Sequence, residues 1–492
     1  MYIGGTSYTE MPNRYQKLAA TDSIDRRQLI QMLGASGAAA LAGCSGGGGD
    51  GGSDGGGGGD GGSDGGDGGD GGDGGTPSGD PLATERIGYE SAENSVDYWT
   101  QEDFIHTAEN SNLGAVQEEY LTAWAEEHPN WQLNVEIQTN LEQFKTQLLQ
   151  ANSAGNAPPM TECDSFWVPQ FYGNLSPVDE AMEEYDDWYP FVEEVAKNDG
   201  SWRAVWQNTD CRALYYRQDL IDEYADGEAP RTWDELVSVG QDIVDNEDMN
   251  GYMYNGGRWE ATTFDNLAHF WALGGSLVDD EGTPTLDQEE NRQALIDVMS
   301  WFRRTIDSGI TPQRVANIND YAQLREAALN DQTAMFLGGN WQISTMKSLV
   351  DEEVWSNWKV APIPQQSADI AATGVGGWTK AAFTDNEEER QVAVDLYSQF
   401  TSAEHMARRC REGGFLPTRQ SVFENNDFFA EDEYFQVYSS LLENGKARPG
   451  YPIYTTISNE WQVAAGKVIT GQASPENAAQ TMINNVNSEY DG

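Results

Sequence analysis

The sequence is poor in positive charge. Its 492 residues include 81 Asp and Glu but only 28 Lys and Arg, which gives a formal net charge of -53 at pH 7. Proteins that bind nucleic acids or anionic membrane surfaces neutralise phosphates with basic patches, and the sequence contains no such patch. We therefore expect no nucleic-acid partner.

The sequence also lacks the common hydrolase and nucleotide motifs. It has no GxSxG elbow, no HExxH and no Walker loop, and its four His residues are scattered. A calcium-like loop that begins at Asn246 has Gly257 where the twelfth position requires Glu. We expect no metal, no cofactor and no enzymatic activity. An extracellular glycosidase that uses paired carboxylates among aromatic residues is the rival class.

Cysteine is scarce. Of the four in the chain, Cys44 belongs to the N-terminal segment, and Cys163, Cys211 and Cys410 form neither a CxxC pair nor a zinc-ligand pattern. We expect each of these three cysteines to be a small, buried side chain of the core. A disulfide between Cys163 and Cys211 is the alternative for a protein outside the cell.

The acidic composition indicates an environment of high salt concentration. Aromatic residues make up 11% of the chain, too many for a disordered protein, so the acids lie on a folded body. Such a surface repels itself in dilute buffer, whereas molar salt shortens the Debye length to about 3 Å and screens the repulsion. The composition resembles proteins of extreme halophiles. A specific role in binding polycations is the alternative.

Residues 1–44 carry three signals in order. An Arg-Arg pair at 26–27 precedes a stretch at 29–43 that is too short and too rich in Ala, Gly and Ser to span a membrane, which takes about 20 apolar residues. The stretch ends in LAGC at Cys44. This order resembles a twin-arginine export signal followed by a lipobox, in which Cys44 carries the lipid anchor. The Gly- and Asp-rich residues 45–90 are expected to form a disordered tether.

From residue 91 onward, short strands alternate with helices. The patterns predict strands at 96–99, 132–137 and 160–164 and helices at 115–127 and 141–151. This alternation predicts an α/β fold with parallel βαβ units and an open sheet covered on both faces. Ligands of such sheets bind at the carboxyl ends of the strands, here the loops at 100–103, 139 and 164–167.

Six segments resemble a known family. They are AEEHPNWQLNVEI, TQLLQANSAGNAPPMTECDSFWVPQFYGNLSPVD, CRALYYRQDLIDEYADGEAPRTWDELVSVGQDI, LNDQTAMFLGGNWQIS, TGVGGWT and GQASPENAAQTMINNV. In this order they are similar to the extracellular solute-binding proteins of sugar-type ABC transporters. The GGNW and GVGGW segments are closer to the carbohydrate binders than to the iron or polyamine binders.

The resemblance implies a two-lobed, type II binding-protein fold with the ligand in the cleft between the lobes. The chain is expected to pass between lobes near 208–212, 372–378 and 415–418. The first lobe would comprise residues 91–208 and 374–414, and the second residues 209–373 and 415–492. The implied protein is a monomer on the outer face of the cell membrane, held there by its lipid. It would capture a sugar or oligosaccharide by lobe closure and deliver it to an ABC permease.

The resemblance also implies ligand contacts. Sugar sites place aromatic faces against the C–H side of a pyranose and carboxylates against its hydroxyls. Trp341, after Gly-Gly-Asn, matches a stacking position of the family, and Asp210 matches an acidic one. The other candidates are Asp164 and Trp167 after the third strand, Trp378 near a lobe connection, and Tyr454 and Trp461 in the second lobe.

Each candidate has a competing explanation. The chain contains 16 Trp, and most large aromatic residues of a folded protein belong to its core. The two carboxylates, Asp164 and Asp210, could instead pair with ammonium groups. A binding protein for a cationic solute such as a polyamine is therefore the second alternative.

Overall fold

The computed structural model describes residues 79–108, 110–139 and 141–490. The predicted N-terminal signal with Cys44 and most of the predicted tether lie outside the described residues. The strands are β1 Leu82–Ala83, β2 Arg86–Gly88, β3 Asn94–Thr100, β4 Trp131–Ile137, β5 Met160–Asp164, β6 Lys197–Asn198, β7 Ser201–Trp202, β8 Asn208–Arg217, β9 Asn250–Met253, β10 Thr333–Gly339, β11 Trp358–Ala361, β12 Thr373–Gly376, β13 Trp378–Ala382, β14 Leu416–Pro417 and β15 Gly445–Ala447.

Helices separate most of these strands. The α-helices are Ser111–Glu127, Leu141–Ser153, Val168–Phe171, Asp179–Met182, Pro190–Ala196, Gln218–Tyr224, Trp233–Asn246, Glu260–Phe264, Leu267–Ala272, Glu289–Asp307, Tyr321–Leu329, Gln342–Leu349, Glu352–Trp355, Glu387–Thr401, Ala403–Gly413, Gln420–Asn425, Asp427–Glu431, Glu433–Leu442, Ile453–Ile469 and Pro475–Tyr490. Short 3-10 turns lie at Glu102–Phe104, Ser165–Trp167 and Gln313–Asn317. The five elements predicted between residues 96 and 164 are confirmed, with ends that differ by up to four residues.

The first sheet has the order β1-β2-β4-β3-β5-β13. Strand β3 runs parallel to both β4 and β5, which confirms the predicted parallel core of this sheet. The helix Ser111–Glu127 connects β3 to β4 and begins where the Asn110 side chain accepts hydrogen bonds from the backbone N–H groups of Asn112 and Leu113. Strand β5 ends at Asp164. Ligands of open α/β sheets bind at the carboxyl ends of the strands, so Asp164 lies at the end of the sheet where a ligand is expected.

The first sheet begins earlier in the chain than the sequence predicts. Strands β1 and β2 pair with each other, and β2 pairs with β4. Ile87 in β2 is fully buried, and an apolar side chain that leaves water in this way stabilises the pairing. The prediction that the disordered tether extends through residue 90 is therefore wrong for its last residues, because 82–88 belong to the sheet.

The second sheet has the order β15-β12-β8-β10-β9, and β11 and β14 also pair with β8. Strand β8 is the central element. Its first residues pair with β14, Asp210 and Cys211 pair with β12, and its later residues pair with β10 and β11. All of its residues before Arg217 are buried. A continuous run of buried residues is typical of a strand covered on both faces.

The chain changes sheets at Gly377. Strand β12 pairs with β8 of the second sheet, and β13, which starts one residue later, pairs with β5 of the first sheet. Gly377 adopts a φ of 121°, a conformation that side chains disfavour, and a Cβ there would lie 3.0 Å from the carbonyl oxygen of Asn208. Residues 374–376, predicted for the first lobe, therefore lie in the second sheet, because their backbone continues the pairing with β8.

The three cysteines within the described residues are free and buried. Cys163 lies on β5 of the first sheet and Cys211 on β8 of the second. The alternative of a Cys163–Cys211 disulfide is therefore wrong, because each side chain fills a position in a different sheet. Among the described residues, no helix combines the length and apolar character needed to cross a membrane.

Candidate functional site

We call the part of the fold built on the first sheet the first lobe and the part built on the second sheet the second lobe, and residues from both meet at the carboxyl end of β5. The Asp164 carboxylate, on the first sheet, accepts a hydrogen bond of 2.7 Å from Nη2 of Arg448, which directly follows β15 of the second sheet. Both side chains are buried. Next to this ion pair, Tyr454 packs edge-on against Phe166, with ring centroids 5.5 Å apart, and a side chain at Gly450 would collide with Pro169. The segment 448–454 of the second lobe thus lies directly against the loop that follows β5.

A second carboxylate, Glu260, also binds Arg448. Its Oε1 accepts from Nη1 of Arg448 at 3.2 Å and from the hydroxyl of Tyr454 at 2.6 Å. Its Oε2 accepts from the hydroxyl of Ser458 at 2.6 Å. Glu260 is the first residue of the helix Glu260–Phe264, where a negative charge is favoured by the helix dipole. One guanidinium therefore holds two carboxylates that come from opposite lobes.

Arg212, in the middle of β8, forms the second group of ion pairs. Its Nη1 contacts the Asp210 carboxylate, its Nε donates to Asp265 at 2.8 Å, and its Nη2 donates to the hydroxyl of Tyr321 at 3.1 Å. Tyr321 in turn donates to Asp265 at 2.8 Å. Asp210 and Arg212 are two residues apart on one strand, so both side chains point to the same face of the sheet.

Aromatic rings connect the two groups of ion pairs. The guanidinium carbons of Arg212 and Arg448 lie 3.9 and 4.0 Å from the ring centroid of Phe264. Trp341 lies 4.8 Å from the Arg212 guanidinium, and its ring meets Tyr321 edge-on at 5.0 Å. We call this set of residues the interlobe cluster. Its members are Asp164, Asp210, Arg212, Trp259, Glu260, Phe264, Asp265, Tyr321, Trp341, Arg448 and Tyr454.

Two Trp residues of the interlobe cluster are only partly buried. Trp341 precedes the helix Gln342–Leu349, and Trp259 precedes the helix Glu260–Phe264. Their rings pack on Tyr321, Trp259 with a centroid distance of 4.8 Å. A partly exposed indole beside buried carboxylates combines a flat apolar face with hydrogen-bond acceptors, which is the combination that a pyranose requires.

Burial and ion pairing shift the pKa values of the interlobe cluster. Burial raises the pKa of Asp164, and the charge of Arg448 only partly offsets this effect. Burial also acts to raise the pKa of Asp210, but the positive charges of Arg212 and Arg448 outweigh it and lower this pKa. For Tyr454, burial and the neighbouring charge of Glu260 both raise the pKa of the phenol. Asp210 is therefore the more firmly ionised of the two aspartates.

Three predicted site residues lie elsewhere. Trp167 and Trp378 belong to an aromatic group of the first lobe, in which Trp378 stacks on Phe144 at 6.2 Å and Trp167 meets Trp378 edge-on at 5.3 Å. This group adjoins the interlobe cluster through Phe166, whose ring centroid is 6.1 Å from that of Trp167. Trp461 is fully buried against Phe270 in the second lobe, and the structure does not bring it to the interlobe cluster.

The structure thus brings four of the seven predicted ligand contacts into one cluster: Asp164, Asp210, Trp341 and Tyr454. Sequence reasoning missed the other members of the interlobe cluster, which are Arg212, Trp259, Glu260, Phe264, Asp265, Tyr321 and Arg448. Arg212 lies two residues after Asp210, in the segment expected to pass between the lobes, and this spacing was a usable signal. Glu260 and Arg448 lie far from each other in the sequence, so no local spacing indicated them. Within the described ranges, no group of three or more His, Cys, Asp or Glu residues could hold a metal ion.

Comparison with known proteins identifies relatives of a large part of the folded region. Residues 119–437 match a family model described as bacterial extracellular solute-binding protein. A probable ABC transporter-binding protein of Deinococcus radiodurans is 26% identical over 286 residues, which are 56% of this chain and 66% of that protein. A probable amino-acid ABC transporter periplasmic-binding protein of Sinorhizobium fredii is 24% identical over 270 residues, 53% of this chain and 57% of that protein. The chain thus spans about two thirds or less of the length of these relatives.

Solved structures share the architecture. The sugar-binding protein MalE of Xanthomonas citri aligns with a TM-score of 0.67 at 20% identity, over 80% of this chain and 96% of that one. The maltose-bound MalE3 of T. maritima aligns with a TM-score of 0.66 at 22% identity, over 80% of this chain and 98% of that one. At these identities the likeness shows the fold, and it confirms the predicted two-lobed, type II α/β fold.

Proposed function

This chain belongs to the family of bacterial extracellular solute-binding proteins, and from that premise we propose that it captures a carbohydrate between its lobes and delivers it to an ABC importer. The observation that supports this proposal is the interlobe cluster, in which the partly exposed rings of Trp341 and Trp259 lie beside buried carboxylates. Asp164 ends a strand of the first sheet and Arg448 directly follows a strand of the second, so a ligand there would touch both lobes at once.

Closure of the lobes around the sugar is the second part of the proposal. Gly377 links the two sheets through one residue, and β8 pairs with strands close to that link. Small dihedral changes at such short connections are the usual origin of hinge motion in two-lobed proteins. Contacts made to the ligand by both lobes would then stabilise the closed state.

A ligand screen tests the proposal. The purified protein is heated in molar KCl with a panel of neutral mono- and oligosaccharides, and the melting temperature is recorded. A ligand at 100 times its dissociation constant adds about 2.7 kcal/mol to the free energy of unfolding, which is enough for a clear shift. Binding without turnover of a labelled oligosaccharide is the expected result. Turnover would favour the glycosidase alternative, and no shift with any sugar would contradict the proposal.

The second candidate ligand is a cationic solute such as a polyamine. It is favoured by the excess of carboxylates in the interlobe cluster. Within the described part of the chain, the ion pairs of this cluster join four carboxylates, those of Asp164, Asp210, Glu260 and Asp265, to the two guanidinium groups of Arg212 and Arg448. The same melting screen with spermidine and putrescine distinguishes the two candidates. We rank the sugar first because the two partly exposed indoles offer flat faces for a pyranose.

We also propose that the protein is anchored to the outer face of the cell membrane through a lipid on Cys44, after twin-arginine export. The sequence order of the Arg-Arg pair at 26–27, the short apolar stretch and LAGC supports this proposal. Cys44→Ser should release the protein into the medium and leave sugar binding intact. Retention of the variant at the membrane would contradict the lipid assignment.

A further inference from the structure

We propose that the interlobe cluster selects uncharged carbohydrates and rejects acidic ones such as uronates. This inference rests on the proposed carbohydrate function and narrows it to a chemical class. It follows from how the two buried guanidinium groups are occupied, from the charge balance around them, and from the hydrogen-bonding capacity that is left for a ligand.

Both arginines of the interlobe cluster are already paired with two carboxylates each. Arg212 binds Asp210 and Asp265, and Arg448 binds Asp164 and Glu260. A ligand carboxylate needs a cation, and a bidentate arginine contact is its strongest partner. To obtain one here, it would have to displace a protein carboxylate and leave that group buried and unpaired, which is strongly unfavourable.

The charge balance also opposes an anionic ligand. Among the described residues, the ion pairs of the cluster join four carboxylates to two guanidinium groups, and Lys145 lies at the margin of the cluster. Its Nζ lies 4.8 Å from the ring centroid of Phe166 and donates to the hydroxyl of Thr455 at 3.2 Å. Because the cluster is largely buried, like charges are poorly screened by water and repel a further negative charge.

An uncharged sugar avoids both penalties. Each carboxylate oxygen can accept more than one hydrogen bond, so sugar hydroxyls can donate to Asp164 or Glu260 while the ion pairs to Arg448 stay intact. The Nε–H of Arg448 is buried and has no hydrogen-bond partner among the described residues. It offers one free donor that suits a hydroxyl or ring oxygen, whereas the neighbouring Nη2, which a carboxylate would need for a second parallel bond, already donates to Asp164.

The test compares matched ligands by calorimetry in molar KCl. The neutral sugar that gives the largest melting shift is compared with the same sugar oxidised at C6 to the uronate, and with its 2-amino analogue. We expect the uronate to bind at least a hundredfold more weakly than the neutral sugar. Equal or tighter binding of the uronate would overturn the inference and leave the carbohydrate function standing. If amines bind and no sugar does, the carbohydrate function itself fails, and the inference fails with it.

Variants of the cluster give an independent readout. Glu260→Gln removes one carboxylate from Arg448, so the ratio of uronate to neutral-sugar affinity should rise at least tenfold. Asp164→Asn makes the same charge change from the other lobe and should act in the same direction. Glu489→Gln, an exposed position on the C-terminal helix, is the matched control and should leave the ratio unchanged. The inference would be overturned if the ratio of uronate to neutral-sugar affinity stayed constant in both cluster variants while their melting curves showed folded protein.

Discussion

Replacing Trp341 with Ala separates ligand binding from folding. The indole is partly exposed, packs edge-on against Tyr321 at 5.0 Å, and lies 4.8 Å from the Arg212 guanidinium. An edge-on aromatic contact contributes about 0.5–1.5 kcal/mol and a cation–π contact about 0.5–2 kcal/mol. Trp341→Ala should therefore lower the stability of the unliganded protein by about 1–3 kcal/mol. If the ring stacks on the sugar, binding should weaken by about 2–4 kcal/mol, or roughly 30- to 1000-fold.

Both quantities are measured on one sample in molar KCl, with affinity by calorimetry and stability by thermal melting of the unliganded protein. The matched control is Trp461→Ala. Trp461 is fully buried outside the interlobe cluster, so its loss should cost about 3–5 kcal/mol of stability and leave the affinity of the folded fraction unchanged. The stacking role would be refuted if Trp341→Ala kept the affinity within threefold of the original. Trp341→Phe retains an aromatic face and should recover part of the loss.

Three further predictions concern the whole fold. Dialysis from molar KCl into dilute buffer should lower the melting temperature, because a net charge of -53 is then unscreened; an unchanged melting curve would rule this out. Burial lowers the pKa of His269 to about 4, so between pH 6.5 and 4 this imidazole is protonated in the unfolded chain but stays neutral in the folded one. Stability should fall by up to about 3 kcal/mol between pH 6.5 and 4, and His269→Gln should flatten that slope in acid melting curves. Gly377→Ala should destabilise the protein by about 1–3 kcal/mol, because residue 377 has a φ of 121° that alanine disfavours. Gly466 lies on a helix with free space around its Cβ position, so Gly466→Ala should not destabilise the protein, and urea titration of both variants tests this difference.

The fold was predictable where local patterns suffice. The alternation of short apolar strands with amphipathic helices predicted β3, β4 and β5 and their parallel direction. The family resemblance placed residues 374–414, and with them β13, in the first lobe. Local patterns say nothing of the partner that a distant strand selects, so the pairing of β13 with β5 and the central place of β8 came only from the structure. The hairpin of β1 and β2 was missed because it directly follows a Gly- and Asp-rich tract.

The candidate site was predictable where a residue type matched a family position. Four of the predicted contacts lie in the interlobe cluster, namely Asp164, Asp210, Trp341 and Tyr454. Their contact with a ligand stays a prediction. Trp461 shows the limit of such reasoning, since an aromatic side chain serves a core as well as a cleft and its burial depends on distant segments. Arg448 was missed for the same reason, because its role depends on carboxylates far away in the sequence.

The pairing of β13 with β5 has a consequence for synthesis of the chain. In this antiparallel pair Trp378 lies opposite Asp164 and Ala382 opposite Met160, and most strands of the second sheet lie between them in sequence. A ribosome must therefore translate most of the second lobe before the first lobe can complete its sheet. Until then β5 presents an unpaired edge, the kind of surface on which nascent chains aggregate. A chain arrested before residue 378 should thus be a better substrate for chaperones than one arrested after residue 413.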